Sequence, residues 1–140
     1  MLAKLILAIT LLNPKVSLVR AERYANVILR VADRHGVDPW LIVPLARTES
    51  GFNPLAYNHK TGARGFMQVM PVHMPDNPDR LYDLETNLNF AAKILTRKLT
   101  ECHGNIAHAL SRYNGRKTCK DSSFSDMVLQ RYKLIQEPTS

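Results

Sequence analysis

The chain has 140 residues, 45% of them hydrophobic and 22% charged. These values suit one domain around one core and exclude a low-complexity, fibrous or repeat protein. A net charge of +7, from 19 basic and 12 acidic residues, brings two polyanionic partners into view, a nucleic acid backbone and a wall polymer carrying carboxylates, with a solvated partnerless face as the alternative. The five histidines, His35, His59, His73, His103 and His108, are scattered, and neither cysteine has a second ligand at metal spacing, so no metal and no cofactor are expected.

Residues 1–20 read as a secretory leader: Met1 to Lys4 as a basic start, the apolar run Leu5 to Leu12, then Pro14 and a small-residue cleavage site at Val19-Arg20-Ala21. The run is too short to span a bilayer, so no stable membrane span is expected. The alternative reading is an extra helix packed on the domain. Residues 21–136 are expected to form that domain.

Tyr24, Val27, Ile28 and Val31 recur at helical spacing before Gly36, which predicts a helix over about 20–35. Asp38-Pro39 opens a second helix, with Asp38 as cap and Pro39 at its first position. Trp40, Ile42, Val43, Leu45 and Ala46 leave it little exposed face, and it closes on Arg47-Thr48-Glu49-Ser50 before Gly51. Phe52 to Asp83, rich in Asn, Pro, Gly and His, predicts loops and turns with a short helix at Phe66 to Met70. Leu88, Ala91, Ala92, Leu95, Leu99 and Cys102 trace the stripe of a helix that starts near Asp83 or Thr86 and stops at Gly104. Asn105 caps a short helix running to Tyr113. Ser123 to Asp126 resembles a capping box for a last helix through Tyr132.

Late in the chain, Lys93, Arg97, Lys98, Arg112, Arg116, Lys117 and Lys120 face Glu101 as the one acid between residues 93 and 120. Cys102 and Cys119 stand at a separation that a disulfide can close, which would stabilise by roughly 3 kcal/mol and imply an oxidising compartment. Two free thiols are the other reading.

Glu49 is the residue with chemistry in it. A carboxyl at the end of an apolar helix has its ionised form disfavoured and stays protonated nearer neutral pH, the state needed to deliver a proton to a glycosidic oxygen.

Three ordered motifs surround it: Glu49-Ser50-Gly51-Phe52-Asn53-Pro54, Gly62-Ala63-Arg64-Gly65-Phe66-Met67-Gln68-Val69-Met70-Pro71, and Ala109-Leu110-Ser111-Arg112-Tyr113-Asn114-Gly115. Together with the acidic lead Leu81 to Leu88, they resemble the catalytic domain of the soluble lytic transglycosylases over about Ala21 to Tyr132. The departures are Phe66 for the usual Leu, Arg112 for the usual Ala before Tyr-Asn, and Ala91 where Gly is frequent.

The resemblance implies a mainly α, lysozyme-like (α+β) fold, a single compact helical domain whose long irregular loop segment lies beside the cleft. It implies cleavage of the β-1,4 bond between N-acetylmuramic acid and N-acetylglucosamine, with Glu49 as the single acid and base and 1,6-anhydromuramic ends as product. Ser50 and Tyr113 would orient the carboxyl, Gln68 and Asn114 would hydrogen-bond sugar groups, Met67 would form an apolar wall, and Gly65 would allow close backbone approach. Arg112, a long cation beside Tyr113, would bear on subsite preference.

The implied partner is the peptidoglycan strand, met in the periplasm or cell envelope, with a secretion, conjugation or phage tail assembly as a further associate, or on a phage virion. The protein is expected to be a monomer and not to use nucleic acid. A goose-type lysozyme-like hydrolase and a non-catalytic wall-binding or structural module are the rival readings.

Overall fold

The computed structural model describes residues 1–136. Apolar side chains at helical spacing build six helices, and no strand occurs among the described residues. The β portion of the expected fold is limited to two isolated antiparallel bridges, Tyr57 with Arg64 and Arg64 with Val69.

Helix α1 (Leu2–Leu12) is apolar on nearly every side. One side buries Leu5, Ala8 and Ile9 against α2 and α3, while Leu7 and Leu11 on the other remain exposed. Full burial of Leu5 and Ile9 is worth about 1.5–3 kcal/mol each. The segment expected as a leader forms a helix that packs on the domain.

Helix α2 (Leu18–His35) begins where the Ser17 side chain accepts from the Arg20 N–H, and it ends at Gly36 in the left-handed region, φ +64°. Helix α3 (Pro39–Ser50) runs from the Asp38 cap, which accepts from the Trp40 N–H, to Gly51. Every residue from Leu41 to Ala46 is buried, so α3 is the central strut, with α1, α2 and α6 packed around it. Its position fixes Glu49 between the core and the long connection that follows.

That connection departs from the expectation in one place. Phe66 to Met70 is a tight turn, not a helix, because Gln68 takes φ +53° and the Val69 N–H returns to the Arg64 carbonyl at 3.0 Å. Two short 3-10 turns lie further on, at Pro71–His73 and Pro78–Tyr82.

Helix α4 (Leu84–Glu101) starts on the Asp83 side chain, which accepts from the Thr86 N–H. Helix α5 (Ile106–Tyr113) starts on Asn105, which accepts from the His108 N–H. Helix α6 (Ser123–Gln136) is capped one residue earlier than the sequence suggests. The Ser125 N–H donates to Ser122 Oγ and the Ser122 N–H donates to Ser125 Oγ, so the reciprocal box is Ser122 with Ser125.

Cys102, at the end of α4, is bonded to Cys119 ahead of α6, and the loop so closed contains α5. Among the described residues no helix is long and apolar enough to cross a membrane.

Candidate active site

The end of α3 opens on a cleft of about 790 Å³ lined by residues 47–51, 56–60 and 68. Glu49 lies in it, and burial alone pushes its carboxyl up to about 8. No neighbouring charge adds to that shift, so the group remains largely protonated at neutral pH for lack of solvation. No other Asp or Glu lines the cleft among the described residues.

Ser50 and Tyr113 were expected to hold the carboxyl, but their hydroxyls act elsewhere. Ser50 Oγ donates to the Phe66 carbonyl at 2.7 Å and accepts from the Asn53 N–H at 3.1 Å. Tyr113 donates to the Met67 carbonyl at 2.9 Å. Both therefore tie the second motif to the first and third. The Tyr113 hydroxyl is still near enough to Glu49 to feel its charge. Burial first and the Glu49 carboxylate second push Tyr113 well above the ordinary phenol range, so it stays a neutral donor.

Gln68 is held by its left-handed backbone and by its amide nitrogen, which donates to the Ala56 and Gly65 carbonyls at 3.2 and 3.0 Å. With both donors engaged, the side of the amide left for a ligand is its acceptor oxygen.

Met67 is 1% exposed and part of the core, so it backs the wall from inside instead of forming its face. Gly65 does permit close approach, but of the protein to itself. A Cβ there would lie 2.5 Å from Asn87 Nδ2 and 2.5 Å from the Leu81 carbonyl oxygen. Asn114 is exposed, follows α5 as its C-terminal cap, and lies outside the cleft lining. Arg112 turns away as well. Its guanidinium bonds Glu101 at 2.7 Å and the Arg116 carbonyl at 3.0 Å.

Two contributions were missed in the sequence. Asn87 is fully buried in α4. Its Oδ1 accepts from the Met67 N–H at 2.7 Å, and its Nδ2 donates to the Arg64 and Leu81 carbonyls, both at 2.8 Å. It thereby holds the whole Arg64 to Met67 turn against the helix. The sequence signal was a lone amide between Leu84 and Leu88 on an otherwise apolar stripe.

The other is the wall made by Tyr57, Asn58, His59 and Lys60. Tyr57 is 43% exposed, with His59 edge-on to its ring at 4.9 Å and the Arg64 guanidinium over it at 5.1 Å. An aromatic surface steadied in this way offers an apolar face to a ring ligand. No periodicity marks such a loop.

Phe66 fills the space behind the turn, with its ring 5.0 Å from Tyr24 and 5.9 Å from Phe52. The three motifs thus converge on one carboxyl through hydrogen bonds to main-chain carbonyls, backed by one aromatic cluster.

The stretch that carries this site, with Glu49 half-buried at the end of α3, also finds a match by sequence comparison. Residues 26–129 match the family described as Transglycosylase SLT domain, and the chain belongs to that family. Among its relatives is the protein named membrane-bound lytic murein transglycosylase C of Histophilus somni (strain 2336), 47% identical over 53 residues, 38% of this chain and 14% of the relative. The protein of the same name from Edwardsiella ictaluri (strain 93-146) is 45% identical over 51 residues, 36% of this chain and 14% of the relative. The matched stretch therefore spans a small part of the relatives' length.

Proposed function

We propose that this chain cleaves the glycan strands of peptidoglycan as a lytic transglycosylase, with Glu49 as the single acid and base. The observation that carries the reading is Glu49, its carboxyl pushed up to about 8 by burial, in a cleft with no second carboxylate among the described residues. A two-carboxylate hydrolase needs a partner acid as nucleophile or water-activating base, whereas a reaction with a nucleophile inside the substrate needs one group working twice.

Glu49 first gives its proton to the glycosidic oxygen as the bond from that oxygen to the anomeric carbon of N-acetylmuramic acid breaks. The carboxylate left behind accepts the proton of the 6-hydroxyl of the same sugar, and that oxygen bonds to the anomeric carbon. One bond breaks and one forms, no water enters, and Glu49 ends protonated. Because the attacking hydroxyl is already part of the bound sugar, the entropic cost of recruiting a water is avoided. The Tyr57 ring and the Gln68 amide oxygen are the groups placed to receive the sugars.

The relatives carry the words murein and membrane-bound in their names, and the same proposal places this chain at the cell envelope, acting as a monomer on the strand or within a wall-crossing secretion, conjugation or phage assembly.

Mass spectrometry of soluble products from purified peptidoglycan, with wild type and Glu49→Gln side by side, tests the proposal. Anhydromuramic ends that vanish in the variant are expected. Reducing ends, one water heavier, would replace the reading with a hydrolase. Glycan binding without products from either protein would replace it with a wall-binding module.

A further inference from the structure

Three groups outside the reaction scheme meet at the carboxyl-terminal end of α3, and two of them come from the first thirteen residues. The Asn13 side-chain Nδ2 donates to the Gly51 carbonyl at 3.0 Å, and Arg47 Nε donates to the Leu12 carbonyl at 2.9 Å. From the opposite side, Arg131 of α6 donates to Thr48 Oγ1 at 2.9 Å.

Glu49 therefore sits within a clamped turn, with α1 gripping residues 47 and 51 and α6 gripping residue 48. The partners suit the grip. Leu12 ends α1, where helix carbonyls lack helical donors and a cation is favoured. Gly51 caps α3 at φ +64°, and its own carbonyl faces the Asn13 amide. Asn13 is itself held, because its Oδ1 accepts from the Lys15 N–H at 3.1 Å and its N–H from the main chain reaches the Ile9 carbonyl at 2.9 Å. Behind the grip, Leu5 and Ile9 are fully buried in the same core as α3.

We infer that α1 is a working part of the catalytic domain and that Asn13 is a positioning residue, which fixes the Glu49 turn through the Gly51 carbonyl while α1 engages Arg47. Cleavage near Ala21 would remove both contacts, so the inference requires residues 1–13 to be present in the active enzyme.

The clamp acts on the environment of the carboxyl. Charged and titratable groups around it are Arg47 on its own helix, Arg131 on α6, Tyr113 on α5, and Tyr57, His59 and Lys60 on the loop. Helix α1 brings only the exposed Lys4. Arg47 is engaged at Leu12, and burial is the one cause of the Glu49 shift. Loosening the Gly51 end admits water, which favours the carboxylate.

The inference rests on Glu49 as the acid, and the test separates the two. Asn13→Ala is compared with wild type for kcat, KM, the alkaline limb of the pH profile and the titration of the Glu49 carboxyl followed by carbon-13 NMR. Loss of one hydrogen bond predicts a kcat lower by about three- to tenfold with KM nearly unchanged, and a carboxyl midpoint moved to lower pH. Asn13→Leu, which keeps the volume, loses the donor to Gly51 and brings no charge toward Glu49, is expected to shift both readouts the same way.

A wild-type titration midpoint in both variants would overturn the inference, and so would a mature envelope protein that starts beyond Asn13 and turns over normally. The NMR arm reads the carboxyl with or without turnover, so an inactive wild type would count against the transglycosylase reading alone.

Discussion

Burial pushes the Glu49 carboxyl well above the ordinary glutamate range, and the sign of that shift has two consequences. For catalysis, the acid form is the one that attacks the glycosidic oxygen, so kcat/KM is expected to fall as pH rises through about 8, roughly tenfold per pH unit beyond it. A pH profile on purified glycan strands checks this, and a limb near 4.5 would show that the folded environment leaves the carboxyl unshifted.

For stability, the folded chain holds the proton to about pH 8 and the unfolded chain only to about 4.5. Between those values folding takes up a proton. Stability is fully present below about 4.5 and declines as pH rises toward 8, by about 1.4 kcal/mol per pH unit. Glu49→Gln, which carries no charge, is therefore expected to be more stable than wild type at pH 7 by about 3 kcal/mol and equal to it near pH 4. Thermal melts across that range measure the difference. An inactive variant that is also the more stable one would identify burial of this carboxyl as a cost borne for function.

At the scale of the element, α4 contributes little to the cleft surface and much to its shape. Asn87→Ala removes three hydrogen bonds, two of them buried, and strands the Met67 N–H and two carbonyls, so a loss of about 3 kcal/mol is expected, read by denaturant unfolding. Turnover should fall with it, because the Arg64 to Met67 turn that Tyr113 and Ser50 bind is the same turn.

The helices themselves were legible in the sequence. Spacing and caps located α2 to α6 within a few residues, since Gly36, Asp38, Gly51, Asp83 and Asn105 act locally. The turn at Phe66 to Met70 was misread as helical because the left-handed conformation at Gln68 follows from contacts to Ala56 and Gly65, which are fixed only after folding. Ser50 and Tyr113 were found by motif, yet their partners lie 16 and 46 residues away, beyond any local rule. Tyr57 and Asn87 were missed for the same reason.

For the molecule as a whole, the disulfide closes a loop around α5 and so steadies the helix that brings Tyr113 to the Met67 carbonyl. Cys102 and Cys119 are 17 residues apart, a separation for which removal of the bridge costs about 3 kcal/mol. Reductant is expected to lower the melting temperature and to reduce turnover, and Cys102→Ala with Cys119→Ala should match the reduced protein and not respond to reductant. The exposed ion pairs of Arg30 and Arg34 with Glu85 should matter far less, because solvent screens pairs of this kind.

Ser50, Asn87 and Tyr113 all bind main-chain atoms of the Arg64 to Met67 turn, so the acceptors survive whatever side chains that turn carries. Phe66 and Met67 answer only to volume, and exchanges to leucine at either should be tolerated, while the three polar residues have no substitute of equal reach. The domain thus divides its alphabet in two: a few letters that must be spelled as they are, and a larger set that may drift so long as the space stays filled.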